Sequence, residues 1–282
     1  MAEPRSHTLR WLSPLGYLAL RYWEWGPAEG APVICVHGLS RNARDFDVLA
    51  QALAAQGRRV LAPDLPGHAG SARLANPGLY QPPTHIQALS YLLARLDGPV
   101  DWVGTSLGGI CGMGVAATPG NTVRRLVLND VGSFIPKAAL ANVRDRLTSI
   151  AHFPDIAALE AHLRQRHAGF GALTDAQWAH MAQHSAAPEP GGAGGLTLNF
   201  DPALAQPLRA TEPADVDMRL YWGAVQAPTL VLRGENSDLL LPETLAEMAQ
   251  KPGTQTATIP GCGHAPGLMA ADQVALIAAF LA

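Results

Sequence analysis

Charge is scarce in this chain. Asp, Glu, Lys and Arg make up 15 per cent of its 282 residues, the net charge is −3, and no basic tract occurs. A nucleic-acid partner therefore has no electrostatic support. Cysteine is also scarce. Cys35, Cys111 and Cys262 are widely spaced, odd in number and without a C-x-x-C pair, which argues against a disulfide framework or a zinc site. Nor is there a long apolar run. Glu3 and Arg5 lead into no stretch of signal-peptide or membrane-spanning length, so the expectation is a soluble cytoplasmic protein with no membrane partner. Lysine is rare beside arginine and alanine is abundant, which reflects genomic bias before function.

Apolar residues, by contrast, reach 48 per cent, enough for the core of one large α/β domain or of a domain with an insertion. The chain is organised around Val100-Asp101-Trp102-Val103-Gly104-Thr105-Ser106-Leu107-Gly108-Gly109. A strand-like run enters Gly-Thr-Ser-Leu-Gly, and a small-residue helix follows. In that context G-x-S-x-G places a serine on a strained turn, with its hydroxyl clear of the sheet and a helix N-terminus aimed at the same point.

Strand and helix patterns alternate on either side. Ser6 to Trp25 reads as an edge hairpin turning at Ser13-Pro14-Leu15-Gly16. Val33–Val36, Arg59–Asp64, Val123–Val131, Thr229–Gly234 and Gln255–Ile259 read as strands. Helical spacing covers Ala43–Ala55, Thr84–Leu96 with Thr84 as N-cap, Glu243–Gln250 and Ala271–Leu281. Alternation stops over residues 133–226. There the helical patterns Lys137–Ile150, Asp155–His167 and Thr174–His184 occur, with no clear buried strand. Pro188–Gly195 is a flexible break, and Leu196–Phe200 a brief extended piece.

A serine hydroxyl needs a base, and the base needs an orienting carboxylate. In a parallel sheet these gather at strand carboxyl ends. His264, in the loop Gly-Cys-Gly-His-Ala-Pro after the last strand, is the candidate base. His37 precedes the serine in the chain, and His68 reads as a surface or pocket-lining turn residue. His152, His162, His167, His180 and His184 lie on helices of the insertion. His180 and His184 form an i, i+4 pair, but no Glu follows His180, so a solvated face is the better reading than a metal pair. For the acid, Asp238 is favoured in Arg233-Gly234-Glu235-Asn236-Ser237-Asp238; Asp130 gives the same chain order and stays as the alternative, and Glu235 is a third possibility. Asp64 looks structural, accepting local backbone N–H bonds. The backbone N–H groups of Leu39 and Leu107 are the candidate oxyanion donors, with Gly38 allowing close approach.

Together these landmarks resemble the α/β-hydrolase fold. His37-Gly38-Leu39-Ser40, Asp64-Leu65-Pro66-Gly67-His68-Ala69-Gly70-Ser71, Gly104-Thr105-Ser106-Leu107-Gly108-Gly109, Arg233 to Asp238 and Gly261-Cys262-Gly263-His264 follow one another in family order over nearly the whole chain. The resemblance implies a mostly parallel central sheet flanked by helices. It implies a core formed by residues 1–132 and 227–282, with a helical cap at 133–226. It also implies nucleophile Ser106, acid Asp238 and base His264, with no cofactor and no metal.

Within the family, haloalkane dehalogenases and epoxide hydrolases carry aspartate where this chain has Ser106. The meta-cleavage-product hydrolases share the serine but commonly have an aromatic after the histidine, where Ala265 stands. Haloperoxidase-like members share the triad. The most economical expectation is a serine hydrolase of small-molecule carboxylic esters with a mainly apolar pocket, for which Phe134, Leu147, Phe170, Trp178 and Trp222 are candidate linings. C–C bond hydrolysis and a receptor-like member with little turnover are the alternatives.

Overall fold

The structure, a computed structural model, describes residues 3–148, 152–190 and 194–282. It begins with the antiparallel hairpin β1 (Arg5–Ser13) and β2 (Gly16–Trp25), which closes on Pro14 and Leu15 as expected. Then follow β3 (Pro32–Val36), α1 (Asp47–Ala55) behind a 3-10 turn at Ala43–Phe46, β4 (Arg59–Pro63), α2 (Pro82–Leu93), β5 (Val100–Thr105), α3 (Leu107–Ala116) and β6 (Val123–Asn129).

The segment up to β11 carries a short strand β7 (Phe134–Ile135), helices α4 (Lys137–Thr148), α5 (Ile156–Arg166) and α6 (Asp175–Ser185), and a ribbon of β8 (Ala186–Pro188) with β9 (Leu196–Leu198). After it come α7 (Gln206–Arg209), β10 (Val216–Asp217) and α8 (Arg219–Ala224). The chain ends with β11 (Thr229–Gly234), α9 (Pro242–Ala249), β12 (Thr254–Ile259) and α10 (Ala271–Leu281).

Eight strands form one sheet in the order β1-β2-β4-β3-β5-β6-β11-β12. Pairings β1–β2 and β2–β4 are antiparallel, and the others are parallel. The central strands are mostly apolar through their middles because both faces are covered, with Asp101 of β5 the charged exception, held by Arg58 and Arg124. Ile34, Leu61, Trp102, Leu126 and Val231 pack on one face. Val33, Val60, Val103, Val127 and Leu230, one residue away in each strand, pack on the other against α1 and α10. The segment between β6 and β11 has its own small core of Phe153, Leu159, Leu163, Trp178 and Met181, joined to the body by Met269. Among the described residues no helix is long and apolar enough to cross a membrane. All three cysteines are buried and unpaired.

Two local expectations change. The helix α2 starts at Pro82, not Thr84, with Gln81 as N-cap and Thr84 buried inside the first turn. Two prolines fit there because first-turn N–H groups lack helical partners anyway. The segment between β6 and β11 holds two short two-stranded ribbons (β7 with β10, β8 with β9) where only one extended piece is legible in the sequence. Residues 149–150 of the predicted helix Lys137–Ile150 and 191–193 within the predicted break Pro188–Gly195 lie outside the described residues. At α6 the capping is legible: Thr174 and Gln177 form a reciprocal capping box.

The approach of α3 to β3 depends on Gly108. A Cβ there would sit 2.0 Å from the carbonyl oxygen of Val36 and 3.0 Å from that of His37. Both obstacles are backbone, so nothing can rotate away. Gly108→Ala is expected to lower stability by about 3 kcal/mol. Gly223→Ala, in α8 with open space around it, is expected to gain up to ~1 kcal/mol from helix propensity. Urea unfolding midpoints check both.

Candidate active site

The strand β5 ends at Thr105, and Ser106 follows at φ 53°, ψ −114° as the residue that opens α3. Positive φ is strained for a residue with a Cβ and marks a position held by its surroundings. The Ser106 N–H donates to Asn129 O at 3.0 Å, and the Ser106 carbonyl accepts from the N–H groups of Gly109 and Ile110. Gly104 gives the turn room, since a Cβ there would meet Gly108 O at 2.3 Å.

Ser106 Oγ lies 3.1 Å from His264 Nε2. His264 follows β12 in the predicted loop, and its Nδ1 lies 2.6 Å from Asp130 Oδ2. The carboxylate that meets His264 is therefore Asp130, the alternative, and not Asp238. Asp130 is fully buried, one residue past β6, at φ 55°. Its Oδ1 accepts from the Gly234 N–H at 2.7 Å, and its Oδ2 also accepts from Ser237 Oγ at 2.6 Å. Asp238 is exposed, and its carboxylate accepts from Asn142 Nδ2 at 2.8 Å. The physical reason lies in the loop after β11. Ser237 turns inward and spends its hydroxyl on Asp130, which sends its neighbour Asp238 outward. Glu235 is exposed as well and accepts from the Gly261 N–H at 2.9 Å.

The loop after β3, which carries Leu39, is braced by two buried imidazoles. Nε2 of His37 accepts from the Leu65 N–H at 2.9 Å, so Nδ1 carries the proton and donates it to Gly38 O at 2.8 Å. The Arg41 N–H donates to the same oxygen at 3.1 Å. Gly38 O and Leu39 N–H belong to one peptide plane, so fixing the oxygen fixes the N–H in the opposite direction. His68 bonds through Nε2 to Leu39 O. Burial pushes the His37 pKa well below its ordinary value, and burial likewise lowers that of His68. His68 is completely buried, not a surface turn residue, because the turn carrying it tucks under Leu39. The only sequence signal for this brace is a histidine in each of two successive strand-end loops. Leu107 is the first residue of α3, where an N–H has no partner within the helix. Asp64 is buried and structural, but its partners are Ala43 N–H at 3.0 Å and Arg21 Nε at 2.7 Å, from distant segments and not from its own turn.

The pair His180 and His184 is half-buried, not a solvated face. Together with Asp47 of α1 it offers three ligand-type atoms within 4.8 Å of one another. Asp47 is already held by Arg44 at 2.6 Å, and His180 Nε2 lies 3.3 Å from its carboxylate and 3.2 Å from Arg44 O. The cluster docks α6 onto α1. The hydrogen bond to Asp47 raises the His180 pKa, while burial and then Arg44 lower that of His184 to about 4.

Two cavities meet at Ser106 and Leu39. The smaller, about 110 Å³, includes His264, Arg41 and Phe170 in its wall. The larger, about 590 Å³, includes Leu107, Ile110, Met113 and Met218. Of the five proposed linings, Leu147 and Phe170 face the smaller cavity. Trp178 belongs to the small core of the segment between β6 and β11, and Trp222 to the main core. Phe134 lies under the guanidinium of Arg219, 4.9 Å from it.

The alpha/beta hydrolase family matches the chain over residues 33–276. A 3-hydroxybutyrate-oligomer hydrolase from Cupriavidus necator is 37% identical over 99% of this chain and 98% of its own length. Among solved structures, an alpha/beta hydrolase from Novosphingobium aromaticivorans is 34% identical, with TM-score 0.87 over 100% of this chain and 99% of that one. A structure from Rickettsia typhi is 28% identical, with TM-score 0.90 over 99% of both chains.

The geometry separates the two aspartates experimentally. Asp130→Asn is expected to slow labelling of Ser106 by a fluorophosphonate by about 10³- to 10⁴-fold, because the amide selects the wrong imidazole tautomer. Asp238→Asn is expected to stay within about 2-fold, as an exposed substitution away from the contact. Labelling rates followed by mass spectrometry decide between them.

Proposed function

The chain belongs to the alpha/beta hydrolase family, and from that membership and the site's geometry we propose that it hydrolyses carboxylic esters through an acyl-enzyme on Ser106. The observation that carries the reading is the unbroken hydrogen-bonded series from Ser106 Oγ through His264 to buried Asp130. Support also comes from the Cupriavidus necator relative, whose name describes cleavage of hydroxy-acid oligomers, that is, of ester bonds between like units.

In this mechanism Ser106 Oγ attacks the ester carbonyl while His264 Nε2 takes its proton. Asp130 accepts the Nδ1–H bond, holds the tautomer and stabilises the imidazolium. The N–H groups of Leu39 and Leu107 receive the developing oxyanion, the first oriented by the bonds on Gly38 O, the second by its place at the start of α3. His264 then protonates the departing alcohol, and water, activated by the same imidazole, releases the acid. None of these steps draws on a metal or an organic cofactor. Residues 133–226 act as a cap: Leu163, Phe170 and Leu198 from this segment wall the smaller cavity, and Leu140, Leu204 and Met218 the larger. The larger cavity supplies the apolar pocket.

Ser106→Ala is expected to reduce hydrolysis of p-nitrophenyl butyrate by about 10⁶-fold and to abolish fluorophosphonate labelling. Retention of wild-type turnover by this variant would sink the reading. Leu140→Trp, which fills the larger cavity, is expected to raise KM for long acyl esters more than for acetate. Steady-state kinetics on p-nitrophenyl esters graded in acyl length measures the difference.

A further inference from the structure

The two cavities at Ser106 differ in charge as well as in size. The wall of the smaller carries Arg41 and Arg166 and, among its described residues, no Asp or Glu. The wall of the larger carries Glu212, Asp215 and Asp217 and, among its described residues, no Lys or Arg. An anionic group thus meets guanidinium donors in the first and carboxylates in the second, two of which, Glu212 and Asp217, are paired with Arg144 and Arg219.

Arg41 strengthens the contrast. It is 5% exposed. Its Nε and Nη2 bond to Asp45 at 2.6 and 2.5 Å, while its Nη1 is buried with no hydrogen-bond partner among the described residues. A buried guanidinium N–H without an acceptor is costly unless a ligand supplies one. Arg166 closes the last turn of α5, and His162 lies one turn before it. Burial and then the Arg166 charge lower the His162 pKa, so at neutral pH that imidazole offers hydrogen bonding without charge.

The cavities also differ in which half of an ester each receives. His264 borders the smaller cavity and not the larger; Leu107 borders the larger and not the smaller. The imidazole must reach the oxygen of the departing alcohol to protonate it. The alcohol half therefore leaves through the smaller cavity, and the acyl half, bound to Ser106, lies along the larger.

Resting on the esterase reading above, we propose that the smaller cavity is a carboxylate-recognising leaving-group site formed by Arg41 and Arg166. The ester cleaved is one whose alcohol half is a short hydroxy acid bearing a free carboxylate. Ser106 Oγ forms a bond to the carbonyl carbon, and the bond from that carbon to the hydroxy-acid oxygen breaks. This oxygen takes its proton from His264 Nε2. Water then adds to the acyl-enzyme, its oxygen staying on the released acid and its proton passing through His264 back to Ser106. Each cycle consumes one water and frees one hydroxy acid, so a linear oligoester shortens by one unit at a time from its carboxyl end.

The test uses the linear 3-hydroxybutyrate trimer with its hydroxyl end benzyl-capped, as free acid and as methyl ester, beside p-nitrophenyl butyrate. The free acid is expected to exceed the methyl ester in kcat/KM by at least about 10-fold, mostly through KM, the effect of one charge-assisted hydrogen bond. The first products are expected to be free monomer and capped dimer. Arg166→Gln is expected to bring the ratio of the two substrates towards one, and Arg166→Lys to restore most of it, with circular dichroism checking the fold of each. Equal turnover of acid and methyl ester, or capped monomer as the first product, overturns the leaving-group site while leaving the esterase reading standing. Absence of turnover on all three substrates overturns both.

Discussion

One buried carboxylate ties the working end of this molecule together. Asp130 accepts bonds from Gly234, Ser237 and His264, residues contributed by the turn after β11 and the loop after β12. A carboxylate with no solvent around it is stable only when such donors surround it. The three bonds therefore fix the loop after β11, the position of His264 and the left-handed backbone of Asp130 as one unit. Across the sheet a second unit does the same for the loop after β3, with His37 and His68 on the Gly38 and Leu39 carbonyls. Ser106 stands between the two, on the shortest connection in the core.

Much of this was legible in the residues. The strand β3 announces itself because a sheet covered on both faces needs apolar side chains at successive positions, and Val33 to Val36 meet that demand without alternation; β5 does so but for Asp101, which is buried against Arg58 and Arg124. Ser106 and His264 were legible as a pair because G-x-S-x-G and the glycine-flanked histidine are backbone requirements written into residue type. The carboxylate that meets His264 was not. Asp130 and Asp238 both follow strands and both precede His264, so chain order is blind to the difference. What separates them is the direction of one side chain, Ser237, and that depends on packing between loops distant in sequence. The same limit applies to His68, whose burial is decided by the turn folding beneath Leu39, and to Asp64, whose partners are Ala43 and Arg21.

The segment between β6 and β11 shows a further kind of limit. Its longer helices were readable from their patterns, yet their docking rests on pairs such as His180 with Asp47, in which a core helix supplies one partner and this segment the other. The polarity of the two cavities arises the same way: Arg41 comes from the core, and Arg166 and the acids Glu212, Asp215 and Asp217 from this segment. No local pattern encodes a charge difference assembled from such separated parts.

The placement of His264 on the border of only one cavity has a temporal consequence. Under the proposed chemistry, the path taken by the departing alcohol is also the path by which a water molecule must come to the imidazole. Arrival of that water has to wait for departure of the first product, so the two halves of the cycle run in strict succession. The first product is then also a competitor for the free site, and its accumulation throttles the enzyme without any separate regulatory device.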